Sequence, residues 1–410
     1  MKILYISTVF PRLENSSTIY TDLAEALAQK GHSVMVVAAE EKKKYRSGGI
    51  QDERGCKVLR VKIGNMYDVN LIEKGISVVT LSSYMKKAIK NNLSKEEFDL
   101  ILFEAPPATL VGVVRYAKKL FHAPAYLMMK DIFPQNAIDI GVMKIGIVYY
   151  YFRLKEKQLY KNADVIGCMS EGNRRYIMEH NNVPSTKVEI FPNTKNIKPH
   201  IELDSRNESR DKYKIPRDKV VFIFGGNMGK PQGLPFLCKA INTLKNNQKA
   251  FFVLVGRGTE KSYVEETLAN NKNVLILDNL PRNEYEQLVR ACDVGIVSLD
   301  HRFTIPNYPS RVLSYMEYGM PVLATTDRQT DFKELIEEAN SGLWCCSDSV
   351  QGFVVAVRKL CSNENERKQM GQNGRKYAEY HFNVDVSVGL LEKSYLNLRN
   401  MRSFHSNNRV

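Results

Sequence analysis

KVVFIFGGNMGKPQG (residues 219–233) decides the reading of this 410-residue chain. Five apolar residues, 220–224, run without interruption, as in a strand buried on both faces, and then give way to glycines at 225, 226 and 229. A helix-period segment follows at 234–246. Glycines between a strand and a helix let the backbone approach a phosphate, and the helix start supplies free amides, so the loop suits a nucleotide diphosphate. A tight strand-to-helix turn without a ligand is the plainer alternative.

Outward from this loop the same alternation repeats. Toward the C-terminus the pattern predicts strands at 250–255, 273–277, 293–297 and 321–325, with helices at 260–269, 283–291 and 310–318 between them. Toward the N-terminus it predicts strands at 2–8, 31–39, 57–63, 99–104, 124–129 and 164–168 and helices near 18–30, 78–92 and 109–120. Strand–helix alternation implies parallel sheets covered on both faces: an α/β fold of two Rossmann-like, doubly wound domains facing a cleft. The polar stretch around 200–216 reads as the break. The expected organisation is a first domain at 1–200, a linker at 201–216, a second domain at 217–385, and a final helix at 386–410 returning to the first domain.

Composition narrows the function. At 43% hydrophobic and 25% charged the chain is neither disordered nor fibrous, and no apolar run approaches the roughly 18 residues of a spanning helix. MKILYISTVFPR does not read as a signal peptide, so a cytoplasmic location is expected. Seven scattered cysteines without CxxC spacing speak for free thiols and against a structural zinc site. The net charge of +14 is lopsided, +10 in residues 1–200 and +4 in the rest. Such an excess favours an acidic partner, and no nucleic-acid motif accompanies it. VMKIGIVYYYFRLKEKQLY (142–160) interleaves aromatic, aliphatic and basic residues and, with Lys86, Lys87 and Lys90, suits an anionic membrane surface; a core helix with a solvated basic end is the alternative.

Several phrases occur in one order: MKILYIST, GHSVMVV, DIFPQNAIDIG (131–141), SEG (170–172), GGNMGKPQG (225–233), VGRGTEK (255–261), LPR (280–282) and PSRVLSYMEYGMPVLAT (309–325). Together they resemble family 4 glycosyltransferases of the GT-B fold, and within them the bacterial fucosamine-type transferases of O-antigen and capsule assembly.

The resemblance places the donor diphosphate at Gly226, Asn227 and Gly229 and beside the start of the 310–318 helix, with Ser310 a candidate N-cap and Arg311 a candidate cation. The arginine and lysine that the family often carries at the loop fall on Asn227 and Gln232, so Lys230 and Arg257 are the replacement cations expected to stabilise the leaving diphosphate. The family's ribose-binding glutamate falls on Ser314, and Glu317, one turn on, is its possible substitute. The resemblance also implies that Leu280 and Arg282 flank the nucleobase. In the first domain Asp131 and Glu104, each at a strand end, are candidates to touch the acceptor hydroxyl or the transferred sugar, and Glu171 to orient the donor.

The expected enzyme moves an N-acetylated (deoxy)hexosamine from a UDP-sugar to a polyprenyl-diphosphate-linked saccharide. Retention of configuration is expected, with no metal or other cofactor, at the inner face of the cell membrane. A sugar-nucleotide 2-epimerase of the same fold, or a non-catalytic nucleotide-sugar-binding subunit, are the other classes the residues allow.

Overall fold

The computed structural model describes residues 1–14, 17–66, 69–199 and 206–407. Two compact units result: Met1–Asn196 with Asn383–Val410, and Ile197–Phe382.

The first unit is built on eight strands, β1 (Lys2–Ser7), β2 (Ser33–Glu41), β3 (Ile50–Glu53), β4 (Cys56–Ile63), β5 (Leu100–Ala105), β6 (Ala125–Met129), β7 (Val165–Cys168) and β8 (Val188–Ile190). Their order is β3-β4-β2-β1-β5-β6-β7-β8, and every pairing is parallel except β3 with β4. Central strands are apolar on both faces: Ile3, Leu4, Tyr5 and Ile6 of β1 have no exposed surface. Winding reverses between β1 and β5, which opens a crevice at the carboxyl ends of those two strands. Helix Val384–Asn407 completes this unit by burying Val384, Val388 and Leu391 in its core.

The second unit holds β9 (Val220–Asn227), β10 (Ala250–Arg257), β11 (Val274–Leu277), β12 (Val294–Ser298), β13 (Val322–Thr326) and β14 (Gly342–Cys346), all parallel in the order β11-β10-β9-β12-β13-β14. Here the winding reverses between β9 and β12, so the GGNMG loop opens at the point where an open α/β sheet takes its ligand.

Three segments differ from the sequence reading. The front of the expected linker, residues 201–205, lies outside the described residues, but Arg206–Lys212 is a helix of the second unit. It forms because Arg210, 3% exposed, donates to the Ala291 carbonyl and to Asp293. Where one final helix is expected, at 386–410, the chain from 350 onward forms three, Val350–Ser362, Glu364–His381 and Val384–Asn407. Asn363 caps the second of them, and Asn383 breaks the run by bridging to Lys195. Short β3, β8 and β14 carried no strand signal of their own length. All seven cysteines are free, six of them buried and Cys361 half-buried.

Candidate active site

In the second unit, strand β9 ends in Gly225, Gly226 and Asn227. Gly226 has φ +120°, a conformation side chains avoid, and pairs with Gly256 of β10 at φ +149°. A Cβ on Gly256 would sit 1.9 Å from the Gly226 carbonyl oxygen, so two strand ends can lie together here only as bare backbone. Gly226 and Asn227 are exposed, leaving amide backbone open to a ligand.

Three basic side chains flank this end. Lys230 is exposed on the 3₁₀ turn Lys230–Gln232, and Glu260 lies near enough for its raised carboxyl pKa, lifted by burial, to be partly restored by the Lys230 charge. Arg257, exposed at the end of β10, pairs by backbone with Asn227. Arg311 opens helix Arg311–Glu317 and reaches under the loop: its guanidinium carbon lies 4.5 Å from the Phe224 ring centroid and its Nη2 donates to Gln232 Oε1 at 2.5 Å.

In the first unit the carboxyl ends of β5 and β6, next to the crevice between β1 and β5, gather buried titratable groups. Glu104, 1% exposed, accepts from Ser7 Oγ (2.9 Å) and the Thr8 amide (2.6 Å), while its Oε2 is buried without a partner. Burial pushes its carboxyl up to about 7. Asp131 follows β6 with a buried, unpartnered Oδ1, and burial lifts it to about 6. Between them in the chain stands Lys130, whose backbone amide donates to the Ala105 carbonyl and whose ammonium lies 5.2 Å from the Phe191 ring centroid; burial lowers it to about 7. The two carboxyls and the amine thus share the carboxyl ends of adjacent strands β5 and β6.

The sequence profile of the glycosyltransferase family 4 matches residues 16–196, and that of group 1 glycosyl transferases matches residues 205–377. The chain belongs to glycosyltransferase family 4. This glycosyltransferase is 24% identical over 302 residues (71% of the chain, 72% of the relative) to the probable glycosyltransferase WbjE of Pseudomonas aeruginosa. It is 22% identical over 379 residues (88% and 92%) to the putative colanic acid biosynthesis glycosyl transferase WcaI of Escherichia coli. Among solved structures, sucrose-phosphate synthase from Thermosynechococcus elongatus superposes with a TM-score of 0.75 at 16% identity over 98% of this chain and 99% of that one. Anabaena Alr3699/HepE in complex with UDP-glucose gives 0.70 at 15% identity over 97% and 100%. The fold is GT-B.

Within this glycosyltransferase several expected residues stand elsewhere or are engaged. Ser310 is exposed and its side chain makes no capping bond, because its own backbone is already helical at φ −65°, ψ −12°. Glu317 is buried and accepts from the Lys198 amide at 3.0 Å, a tie to the chain entering the unit. Ser314 lies on the same helix and is half-buried. Glu171 is exposed and pairs with Arg174 at 2.9 Å, one turn along a helix that Ser170 caps. Arg282 pairs with Glu286 at 2.7 Å, and Leu280 lies half-buried in the loop after β11, one strand removed from β9. A cavity of about 460 Å³ beside Lys157, Tyr160, His180 and Lys187 holds none of these residues. Lys130 escaped the sequence reading, because a lysine after a strand ordinarily faces water; Gln232 was read only as the place of a missing lysine, and its bond to Arg311 is a tertiary fact.

Proposed function

We propose that this glycosyltransferase moves an N-acetylated (deoxy)hexosamine from a UDP-sugar to a polyprenyl-diphosphate-linked saccharide in surface polysaccharide assembly. The observation that carries the reading is the exposed, glycine-built end of β9, flanked by Lys230, Arg257 and Arg311 at the point where the winding of its sheet reverses. Bare backbone amides and cations there suit a diphosphate, whose charge grows as the sugar leaves. With cations in place the reaction proceeds without a metal. Retention follows if the acceptor attacks from the face the diphosphate leaves, the departing phosphate taking the acceptor proton.

Relatives support the polymer class: WcaI is named for colanic acid biosynthesis and CapM of Staphylococcus aureus, 22% identical over 331 residues, for capsular polysaccharide biosynthesis. UDP as carrier is supported by the UDP-glucose complex of the structurally similar HepE. In the first unit, Asp131 and Glu104 mark the acceptor end, Asp131 with an open hydrogen-bonding position for a sugar hydroxyl and Glu104 holding the Ser7–Thr8 turn beside it.

An anionic membrane is the place where such an acceptor waits. Helix Ile147–Asn162 leaves Ile147 90% exposed, with Val148, Tyr150 and Leu154 also open, so its first half is an unpartnered apolar face and not a core helix. Ile72, Ile76 and Val79 form a second exposed stripe on helix Leu71–Leu93, and both helices pack against the same turn, Ala108–Leu110. Apolar side chains backed by Lys144, Lys155, Lys157, Lys87 and Lys90 suit an anionic leaflet. No described helix is long and apolar enough to cross a membrane.

The test is to incubate the enzyme with a panel of nucleotide sugars and measure nucleoside diphosphate release with and without a polyprenyl-diphosphate saccharide. Release from a UDP-N-acetylhexosamine that requires the lipid-linked saccharide supports the reading. Conversion of the free donor into its epimer, or binding with no turnover, would sink it.

A further inference from the structure

The cavity of about 460 Å³ lies apart from both strand-end sites. Its walls come from the last turns of helices Ile147–Asn162 and Glu171–Asn181 and from the turn Ser185–Lys187 that leads into β8. Because β5 to β8 run parallel, it stands at the amino ends of β7 and β8, at the opposite edge of the sheet from Glu104 and Asp131. Its volume is that of a small-molecule site.

The lining is positive: Lys157, Lys161 and Lys187 stand against one carboxylate, the exposed Glu179. Two helices end here, and helix carboxyl ends are themselves negative, so cations are needed to match them. Hydrogen bonds show which cations do so. Lys187 donates to the Tyr160 and Lys161 carbonyls (2.6 and 3.3 Å) and Lys118 to the Asn162 carbonyl (2.8 Å), which serves the first helix. Arg153 donates to the His180 carbonyl (3.0 Å) and serves the second. Lys157 and Lys161 are in excess of this need. Both are exposed, and neither ammonium is in a hydrogen bond or an ion pair among the described residues. Burial holds Lys187 below the usual lysine range, so it too gains from an arriving anion.

Asn181 adds a second demand. It lines the cavity, and its Oδ1 and Nδ2 are both buried without a hydrogen-bond partner. An amide unpaired at both atoms is rare in a folded chain and costly. An ionised phosphate only accepts, whereas a hydroxyl both donates and accepts, so a ligand carrying neighbouring hydroxyls satisfies the whole amide. Val183 and Pro184 give the cavity an apolar wall for the carbon frame that bears them.

We propose that this cavity is a binding site for a phosphorylated polyol, with the phosphate held by Lys157, Lys161 and Lys187 and the hydroxyls by Asn181. A free sugar phosphate and a phosphatidylglycerol headgroup share this chemistry. The site is independent of the donor reading and of the strand-end residues.

The experiment is hydrogen exchange of the full chain, read over residues 179–187, with glucose 6-phosphate, with glucose, and with phosphatidylcholine vesicles lacking or containing phosphatidylglycerol. Glucose 6-phosphate should protect this segment and glucose should not. Protection by phosphatidylglycerol vesicles alone assigns the site to the lipid headgroup. Lys157→Gln combined with Lys161→Gln should weaken the effective probe roughly tenfold or more, the effect of losing charge-assisted hydrogen bonds, and Asn181→Leu should do the same. Asn181→Leu is the decisive variant, because leucine removes an unpaired buried amide and should hold or raise the melting temperature while binding is lost. No protection by any probe, equal protection by glucose, or protection confined to the exposed half of helix Ile147–Asn162 would overturn the proposal. Binding that survives both sets of substitutions would also overturn it, since the probe then sits elsewhere.

Discussion

Burial sets the chemistry of the β5–β6 edge. Asp131 keeps one buried oxygen without a partner and has its carboxyl lifted to about 6. Asp131→Asn preserves shape and removes charge, so turnover is expected to fall at least tenfold with the melting temperature little changed; steady-state kinetics beside a thermal scan checks this. Glu104 predicts a pH dependence. Its folded pKa, about 7, lies above the ordinary carboxylate range, so between that range and pH 7 the folded chain holds a proton that the unfolded chain releases, and stability falls as pH rises through the window. Lys130, lowered to about 7, acts oppositely: above pH 7 the unfolded chain binds the extra proton, so stability climbs again. Tyr5 and Cys168 face the same groups and, with their own pKa values raised by burial, remain neutral across this window. Glu104→Gln should make the fall between pH 5 and 7 shallower, leaving the part below pH 6 that Asp131 contributes and the rise above pH 7, as read by chemical denaturation across pH; an unaltered profile would remove Glu104 as a source. Glycines 225, 226 and 229 and the cation Arg311 were legible in sequence because their chemistry is local. Lys130 was not, since its amine is buried by Phe191 and neighbouring strands, a tertiary fact.

Helices and linkers show where local patterns lose to packing. Residues 206–212 look like linker because they are polar, yet Arg210 is buried and Asp293 holds both it and the Val221 amide. Asp293→Ala should therefore destabilise the second unit by about 3 to 5 kcal/mol, the cost of leaving a buried guanidinium without its partner, measurable by denaturant unfolding. A surface linker would lose almost nothing. The helix Ile147–Asn162 raises the opposite case, since its sequence allowed either a core helix or a membrane-facing one and exposure of Ile147, Val148 and Tyr150 favours the second. Each lysine or arginine near an anionic leaflet contributes about 1 kcal/mol, so binding to vesicles containing anionic lipid should be strong at low salt and weak at high salt. Equal partitioning onto neutral and anionic vesicles, or onto neither, would discard the docking face.

At the scale of the molecule, strand–helix alternation carried most of the architecture: two sheets, parallel but for the β3–β4 pair, each reversing its winding once. What alternation could not convey was how the last sixty residues divide. From 350 onward the chain forms three helices, and the third places Val388 and Leu391 in the core of the first unit. The family was legible from ordered short motifs, although the chain lacks the family's usual ribose-binding glutamate and loop cations, at Ser314, Asn227 and Gln232. Those absences left a non-catalytic nucleotide-sugar-binding subunit as an alternative, and catalysis by the substituted site is therefore the central claim. It is tested most directly by following a labelled N-acetylhexosamine from its UDP carrier in the presence of enzyme and a polyprenyl-diphosphate saccharide. The account predicts that label passes into the lipid fraction, with one UDP released for each sugar moved; label that stays on the nucleotide, or appears only as free sugar in water, would contradict it.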